Sequence, residues 1–406
     1  MINVIGLGYI GLPTALAFAT SGQDVVGSDC NPEVVAQLRS GKARFNEPGL
    51  NELYAAALEQ GVRFSDHYER ADVYIVAVPT PYDKFTNKVD ATQVVKAIDA
   101  ILAVAPQGAI IVVESTLSPG AIRKSVRPLL LQRGFKPDED VYLAHAPERI
   151  IPGAMLRELR KNNRIIGCDV PEIGEKLKTL YSAFCEGEIV VTDVQTAEMC
   201  KVVENTFRAV NIAFANELAR ICRYEDMNVY EVIRICNMHP RVNILQPGPG
   251  VGGHCISVDP RFLIGDYPSI AKVVAAAMET NDSAPDFVLE RIREIMRFEG
   301  LVDTSRVGLY GLTYKENVDD VRESPTLQLL ELQRRRLAQP LNAYDPYVTR
   351  DLVERQFHDL DAFLDANDLV VIMVKHQEII DAMDKLKGKI ILDCHNVCNL
   401  PNAYRL

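Results

Sequence analysis

The chain has 406 residues, of which 48% are hydrophobic and 24% charged, as expected for a globular protein of two or three domains. Its net charge of −11 argues against a nucleic-acid partner, which needs a basic surface, and its apolar runs are too short to cross a membrane. Nine cysteines without CxxC or CxH spacing predict reduced thiols in a cytoplasmic protein, with neither a disulfide framework nor a metal site. Strand-like sequence from residue 2 also predicts that no signal peptide is present.

The first 190 residues alternate short Val/Ile-rich runs with amphipathic helical patterns. Such runs, bounded by turn residues, are typical of parallel strands that are buried on both faces. The predicted strands are Ile2–Gly6, Asp24–Ser28, Val73–Val78, Ile110–Glu114 and Val141–Ala144. A later run, Ile189–Thr192, is predicted to close this unit.

A glycine-rich turn follows the first predicted strand, in "VIGLGYIGLPTALAFA". Gly6 suits a tight turn, Gly8 lets a pyrophosphate approach backbone N–H groups, and Gly11 lets the helix pack closely on the strand. Asp29 follows the second strand, where an acid binds the adenosine ribose and favours NAD over NADP. A tight turn without a ligand is the alternative, but strand, helix and acid together favour a dinucleotide site.

Two further loops, "VAVPTPYD" and "VVESTLSPG", follow predicted parallel strands. Loops at the carboxyl ends of such strands face the cofactor in dinucleotide-binding sheets. Thr80 and Thr116 are therefore candidate cofactor contacts, although a threonine taken alone is more often a turn residue.

A single long helix is predicted from Thr196 to Glu225, where the sequence has neither Gly nor Pro. Lys201 and Asn205 are four residues apart and share one face, which also carries Arg208. On the residues alone, a solvated polar stripe is the commoner interpretation. Apolar residues surround much of the helix, namely Val210, Ile212, Ala213, Phe214 and Leu218. Such a helix must be buried by its own chain or by a partner.

The stretch "PGPGVGGHCISVDP", residues 247–260, crowds glycines and prolines ahead of Cys255. Glycine is favoured where φ is positive or where a group approaches the backbone closely, so the pattern predicts a loop shaped around a ligand. Cysteine is more often a packed core residue, an interpretation that fits the other eight cysteines better than Cys255. A loop thiol near positive charge would be nucleophilic.

The strand–helix alternation restarts at Arg306, with "RVGLYGL", "PLNAYDP", "DLVVIMV" and "KIILDC". The predicted fold class is α/β, with two doubly wound, Rossmann-like domains joined by a long central helix and a helical spacer. The predicted boundaries are 1–194 for the dinucleotide-binding domain, 195–300 for the central helical domain and 301–406 for the second α/β domain.

The motifs, taken together, resemble those of the UDP-sugar (UDP-glucose/GDP-mannose-type) dehydrogenase family over nearly the whole chain. They are "GLGYIGLPTA", "VPTP", "EST…PG", "APERIIPG", "AEMCKVVENTFRAVNIAFANEL", "HPRVNILQPGPGVGGHC" and "GLTYKENVDDVRESP". The chain is most similar to the branch that oxidises UDP-N-acetyl-D-mannosamine for bacterial surface polysaccharides. The resemblance implies oxidation of the sugar C6 alcohol to a carboxylate by two NAD, through a thiohemiacetal and a thioester on Cys255. It also implies a homodimer.

The resemblance assigns roles to individual residues. Lys201 and Asn205 match the pair that holds the C6 oxygen, Asp259 and Thr116 match groups that position water, and Glu148 matches a glutamate near the hydrolytic water. The expected substrate contacts are Lys201 and Asn205 with Arg149, Ile150, Arg208, His239, Arg241, Gly252, Tyr314 and Lys315. Arg241 is expected to reach the partner subunit. The expected cofactor contacts are Gly6, Gly8, Tyr9, Ile10, Gly11, Asp29, Thr80, Thr116 and Arg322.

One position departs from the pattern of the UDP-glucose dehydrogenases. They carry a second glutamate four residues after the one that Glu148 matches, and Pro152 stands there in this chain. This disfavours UDP-glucose as substrate and leaves open which group activates the water. UDP-N-acetylglucosamine and UDP-glucose remain alternative substrates, and a non-catalytic NAD-binding regulator remains an alternative outside the enzymes. A one-step 2-hydroxyacid or 6-phosphogluconate-type dehydrogenase would have no use for the thiol loop.

Overall fold

Two sheets, each built mostly of parallel strands, organise the chain, as the repeated Val/Ile-rich runs predict. The computed structural model describes residues 1–43, 45, 47–151, 153–336 and 340–406, so Pro152 lies outside the described residues. The chain divides into two units, residues 1–203 and residues 204–406.

The first unit holds an eight-stranded sheet and the helices that cover it. Its strands are β1 (Ile2–Ile5), β2 (Val25–Ser28), β3 (Arg63–Ser65), β4 (Val73–Val76), β5 (Ala109–Val113), β6 (Val141–His145), β7 (Arg164–Cys168) and β8 (Ile189–Thr192). Its helices are α1 (Gly11–Thr20), α2 (Pro32–Arg39), α3 (Leu50–Glu59), α4 (Thr92–Leu102), α5 (Arg127–Gln132), α6 (Met155–Lys161) and α7 (Pro171–Tyr181), with a π-helical turn at Ile122–Val126. The long helix α8 (Val194–Tyr224) begins in this unit and ends in the second.

The strand order in the first sheet is β3-β2-β1-β4-β5-β6-β7-β8. The first six strands in this order are mutually parallel and follow the order of a dinucleotide-binding sheet. β7 pairs antiparallel with β6 and parallel with β8, so the last two strands run against the rest. Every residue of β1, β4 and β5 is buried, because helices cover both faces of the sheet.

The second unit continues α8 with further helices and a second sheet. The helices are α9 (Val229–Cys236), α10 (Asp259–Asp266), α11 (Lys272–Asp282), α12 (Ala284–Phe298), α13 (Pro325–Arg336), α14 (Leu360–Ala366) and α15 (Gln377–Asp381), with 3₁₀ turns at Thr304–Arg306 and Met383–Leu386. The strands are β9 (Val307–Tyr310), β10 (Asn342–Tyr344), β11 (Gln356–Phe357), β12 (Leu369–Ile372), β13 (Ile390–Asp393) and β14 (Ala403–Arg405). All adjacent strands are parallel, in the order β11-β10-β9-β12-β13-β14.

The predicted fold class is confirmed. Both sheets are doubly wound, each predicted strand is present within two residues of its predicted ends, and the helix predicted from Thr196 to Glu225 is α8. Four strands were not predicted, namely β3, β7, β11 and β14. Three of these have only two or three residues, too few for a recognisable apolar run. Among the described residues, no helix is both long and apolar enough to span a membrane.

The turn between β1 and α1 generates a prediction about stability. A Cβ on residue 11 would lie 1.8 Å from the carbonyl oxygen of Gly6, whereas a Cβ on residue 8 would meet no heavy atom within 4 Å. We expect Gly11→Ala to lower the free energy of unfolding by about 1–3 kcal/mol, because α1 must move away from β1. We expect Gly8→Ala, as the matched control, to stay within about 0.5 kcal/mol of the wild type. Urea unfolding measures both, and equal midpoints for the two variants would contradict this account of the turn.

Candidate active site

The carboxyl ends of β1, β4 and β5 lie side by side in the first sheet. The glycine-rich turn follows β1, and Gly6 has a φ of +89°, which a residue with a side chain rarely adopts. Its N–H donates to Ser28 at the end of β2, at 2.8 Å. Gly6 therefore makes the sharp turn that brings residues 7–11 over this edge of the sheet.

The residues of the turn fit a dinucleotide. The space beside Gly8 is open, since no heavy atom of the chain lies within 4 Å of where its Cβ would be. Residue 10 gives α1 no side-chain cap, so the helix N-terminus retains N–H groups for a phosphate. Tyr9 is exposed and its ring packs on Phe45 at 4.4 Å between centroids. These features suit a pyrophosphate lying across the turn.

Asp29 follows β2 and is half-buried. One carboxylate oxygen accepts the N–H of Leu7 and the other accepts that of Asn31, both at 2.9 Å. These bonds fix the carboxylate beside the glycine-rich turn. Each oxygen keeps a lone pair that a ribose hydroxyl can use.

The loops after β4 and β5 are tied together at the same edge. The Ser115 hydroxyl donates to the Val78 carbonyl at 2.6 Å, and Thr80 is buried. Thr116 follows Ser115 and is half-buried. The two threonines predicted as cofactor contacts thus belong to loops that start from neighbouring strands of the first sheet.

Glu198 on α8 was not singled out from the sequence. Its buried carboxylate accepts the N–H groups of Gly120 and Ile122, at 2.5 and 2.9 Å. Burial raises the pKa of Glu198 to about 7, although the two N–H groups oppose the shift. This residue therefore connects the "ESTLSPG" loop to the first turns of α8, on which Lys201 lies.

Lys201 is buried in the first unit. Its positive charge opposes protonation of His145, the last residue of β6. The side chain of His145 is fully buried. Burial and, to a smaller extent, the positive charge of Lys201 lower the pKa of His145 to about 4, so the imidazole is neutral near pH 7. Neither ring nitrogen of His145 has a geometrically sound hydrogen bond with the described residues.

Glu148, in the segment after β6, is buried, and each of its carboxylate oxygens accepts one hydrogen bond. One carboxylate oxygen accepts the Arg149 N–H at 2.7 Å and the other accepts a guanidinium N–H of Arg164 at 2.5 Å. Arg164 lies on β7, an unpredicted strand, so its contact with Glu148 was not foreseen. Glu47 fixes the same segment from outside, because its carboxylate accepts the N–H groups of Gly153 and Met155.

The thiol loop lies in the second unit, and Cys255 is exposed. Its carbonyl oxygen accepts the N–H groups of Val258 and Asp259, at 3.1 and 2.8 Å. Asp259 begins α10 and is buried. The exposed thiol is thereby held by backbone bonds to the start of a helix.

Two glycines of this loop lie directly against another segment of the chain. A Cβ on Gly252 would lie 2.6 Å from the Glu323 carbonyl oxygen, and one on Gly253 would lie 2.7 Å from the Tyr314 ring. The Gly253 N–H donates to the Arg322 carbonyl at 2.9 Å. The sequence predicted that some group lies close to the backbone of this loop. At these two glycines that group is the segment of the chain that follows β9.

Asn205 on α8 donates to Asp259 at 2.6 Å, with both side chains buried. This bond joins the long helix to the helix that starts beside Cys255. Lys201 precedes Asn205 by one turn of α8, so the two share a face of that helix. The sequence left open whether Lys201 and Asn205 belong to a solvated polar stripe or to a functional site. Both side chains are buried.

The segment after β9 carries Tyr314 and Lys315, both half-buried. Asp345 holds its start by accepting the N–H groups of Leu312 and Thr313, and Asp345 also contacts His376 at 3.1 Å. Burial opposes ionisation of Asp345, but hydrogen bonding to His376 and the backbone lowers its pKa overall. The order of the second sheet makes this the switch point between β9 and β12, where ligands bind in such sheets.

The remaining predicted contacts differ in their exposure and in their partners. Ile150 is buried, whereas Arg208, His239 and Arg241 are exposed. Arg149 donates to the Asn163 carbonyl, and Arg322 pairs with Asp320 at 2.6 Å. In the described part of the chain, no cluster of three or more His, Cys, Asp or Glu side chains could hold a metal ion.

Comparison with known proteins agrees with this architecture. Residues 1–185 match the NAD binding domain of the UDP-glucose/GDP-mannose dehydrogenase family, residues 195–283 its central domain and residues 308–400 its UDP binding domain. A UDP-N-acetyl-D-mannosamine dehydrogenase of Methanococcus vannielii is 40% identical over 98% of this chain and 93% of its own length. An NDP-N-acetyl-D-galactosaminuronic acid dehydrogenase of Ralstonia nicotianae is 40% identical over 97% of this chain and 95% of its own.

Among solved structures, a UDP-N-acetyl-mannosamine dehydrogenase of Staphylococcus aureus is similar with a TM-score of 0.89 and 42% identity. The similarity covers 100% of this chain and 98% of that one. The sequence motifs, the two sheets and these matches agree along the whole chain. The chain therefore belongs to the UDP-glucose/GDP-mannose dehydrogenase family and is an NAD-dependent UDP-sugar dehydrogenase.

Proposed function

We propose that this chain oxidises UDP-N-acetyl-D-mannosamine at C6 to UDP-N-acetyl-D-mannosaminuronate, through a covalent intermediate on Cys255. The observation that supports this most is the exposed thiol of Cys255, whose backbone carbonyl is hydrogen-bonded to the start of α10. The first residue of α10, Asp259, in turn accepts a hydrogen bond from Asn205. An inert cysteine is usually buried, as Cys222 and Cys394 are. Cys30 and Cys236 are exposed as well, but neither follows a glycine-rich stretch such as residues 247–253.

The cofactor would be held by the turn residues Gly6, Gly8, Tyr9, Ile10 and Gly11, by Asp29, Thr80 and Thr116, and by Arg322. NAD, when bound, accepts one hydride in each of the two oxidations. The backbone N–H groups of the turn and of α1 bind the pyrophosphate, and Asp29 accepts ribose hydroxyls. Because Asp29 is an acid, it disfavours the 2′-phosphate of NADP.

In the first oxidation the C6 alcohol loses a hydride, which bound NAD would accept, and a proton, which passes to solvent water, and becomes an aldehyde. Lys201 and Asn205 hold the C6 oxygen and stabilise negative charge on it. The Cys255 sulfur then adds to the aldehyde carbon, and the thiol proton goes to the oxygen, giving a thiohemiacetal. Without this addition the aldehyde could not lose a second hydride and become an acid.

In the second oxidation the thiohemiacetal loses a hydride, which a second NAD would accept, and its hydroxyl proton, which passes to solvent water, and becomes a thioester. Thr116 and Asp259 position a water molecule, and Glu148 accepts a proton from it as its oxygen attacks the acyl carbon. The carbon–sulfur bond breaks, which releases the carboxylate and restores the sulfur of Cys255. The sugar nucleotide is bound by Arg149, Ile150, Arg208, His239, Arg241, Gly252, Tyr314 and Lys315.

The acetamido sugar is favoured by the long "HPRVNILQPGPGVGGHC" string and by Pro152, where UDP-glucose dehydrogenases carry a glutamate. A substrate of the galacto series is the second candidate, because a relative of equal identity bears a galactosaminuronic acid name.

The product is proposed to enter bacterial surface polysaccharides, and the enzyme to act in the cytoplasm. The domains are proposed to span 1–194, 195–300 and 301–406.

A homodimer is proposed from the face of α8 in the second unit. Phe207, Phe214 and Ile221 recur every seven residues and have 64%, 48% and 49% of their surfaces exposed. Residues at that interval lie on one face of a helix. Phe214, one of the apolar residues predicted to need burial, is thus exposed, whereas Ala213 beside it is buried. A second copy of the same face would cover the exposed rings.

Replacing Cys255 tests the covalent mechanism. We expect Cys255→Ala to abolish acid formation while NAD and substrate still bind, because no nucleophile is left to trap the aldehyde. Cys236→Ala removes another exposed cysteine and should keep wild-type turnover. NADH release and product analysis measure both, and normal turnover by Cys255→Ala would refute the mechanism.

Substrate choice is tested by comparing kcat/KM for four UDP-sugars: the N-acetyl derivatives of mannosamine, glucosamine and galactosamine, and UDP-glucose. We expect UDP-N-acetyl-D-mannosamine to give the highest value and two NADH per sugar. N-acetylglucosamine differs from N-acetylmannosamine only in its configuration at C2, so a single contact to the C2 substituent, worth about 1–3 kcal/mol, separates these two substrates. A higher kcat/KM for any of the other three would show that the proposed substrate is wrong.

The dimer is tested by placing polar groups on its proposed face. We expect Phe207→Ser combined with Phe214→Ser to shift the enzyme toward monomer in sedimentation at micromolar concentration, because the apolar face is lost. Glu290→Ser, an exposed substitution on α12, is the control and should leave the dimer intact. A wild-type enzyme that is active and purely monomeric under these conditions would exclude the proposed assembly.

A further inference from the structure

A buried cluster of charged side chains lies around Arg164 in the first unit. The Arg164 side chain is 6% exposed and donates to Glu148, while its other terminal nitrogen lies 4.0 Å from Glu114. The side chains of Glu114 and Glu148 are 0% and 4% exposed. One guanidinium therefore faces two carboxyl groups that have almost no contact with solvent.

Glu114 is the last residue before Ser115 and Thr116, at the carboxyl end of β5. Tyr181 on α7 donates to one of its oxygens at 2.7 Å, and Thr14 on α1 donates to the other at 3.3 Å. The charged or titratable groups that face it are Arg164 from β7, Glu148 from the segment after β6, and Tyr181. α1 contributes only the Thr14 hydroxyl.

The environment makes the charge on Glu114 sensitive to pH near neutrality. Burial raises the pKa of Glu114 to about 7, because the attraction of Arg164 and the two hydrogen bonds only partly offset the loss of hydration. Below this pH Glu114 is uncharged. Above it, Glu114 adds a negative charge beside the Arg164 guanidinium.

We propose that Glu114 and Arg164 are positioning residues for Glu148, and that the charge on Glu114 sets how far Arg164 neutralises the Glu148 carboxylate. This inference rests on the proposed function, in which Glu148 accepts a proton from the hydrolytic water. While Glu114 is neutral, the guanidinium serves Glu148 alone. Once Glu114 is ionised, the guanidinium is shared, and Glu148 accepts the proton more readily.

Glu114→Gln tests the proposal, because glutamine can still bond to Tyr181 and Thr14 but cannot ionise. We expect the ratio of its kcat to the wild-type kcat to fall about fivefold between about pH 6 and about pH 8.5, with kcat/KM for the sugar nucleotide unchanged, because hydrolysis follows formation of the thioester. The ratio cancels the titration of groups common to both enzymes. Because hydrolysis is the slowed step, the variant at high pH should also release a burst of two NADH per active site before steady turnover.

Tyr181→Phe is the second variant, and it removes the hydrogen bond that favours the ionised form of Glu114. We expect the pH at which kcat changes to move upward in this variant. Thermal unfolding reports the same ionisation independently of activity. Because the folded pKa of Glu114 is raised, wild-type stability should fall relative to Glu114→Gln as pH rises from about 4.5 to about 7, and then level off.

The outcomes separate this inference from the proposed function. A pH-independent kcat ratio in a folded Glu114→Gln enzyme, or a Tyr181→Phe profile identical to that of the wild type, overturns the role of Glu114 and leaves the Cys255 mechanism intact. A wild-type enzyme that yields no acid from any of the UDP-sugars overturns the proposed function, and the role of Glu148 with it. A kcat ratio that falls with pH, together with the NADH burst, supports the proposal.

Discussion

The close approach of Gly11 to the carbonyl of Gly6 is the constraint on which the cofactor edge of the first sheet depends. Only a residue without Cβ fits there, because the atom would lie 1.8 Å from the carbonyl oxygen. The close fit sets α1 tightly against β1 and leaves its uncapped N-terminus at the edge where β1, β4 and β5 end. The open space at Gly8, the carboxylate of Asp29 and the bonded loops at Val78 and Ser115 lie at the same edge.

The thiol loop is held in place by close backbone contacts and hydrogen bonds. Its glycines allow the backbone to lie against Tyr314 and the Glu323 carbonyl, and hydrogen bonds to the start of α10 hold Cys255. Flexible residues therefore give a well-defined loop, because each close contact excludes other conformations. The bond from Asn205 to Asp259 joins this loop to α8, so the helix that bears the proposed oxygen-binding pair also supports the nucleophile.

The sequence allowed much of this to be predicted, for identifiable reasons. Long buried strands and the glycine spacing have strong local signals, since burial on both faces demands continuous apolar runs and the turn demands glycine. The roles of Glu198, Arg164 and Asp345 could not be predicted, because each depends on partners distant in the chain. Glu198 bonds to residues nearly 80 positions earlier, and Arg164 lies on a strand whose antiparallel pairing departs from the otherwise parallel pattern. An acid within a helical or strand pattern gives no sign of such a partner.

The central claim is that Cys255 carries the sugar between the two oxidations. Mass spectrometry of the Cys255 peptide, after acid quenching during turnover with UDP-N-acetyl-D-mannosamine and NAD, tests it most directly. The account predicts an acyl adduct of the sugar nucleotide on Cys255 that disappears when substrate is exhausted. Formation of two NADH per sugar with no adduct on Cys255 at any quench time, or with the adduct on another residue, would contradict it.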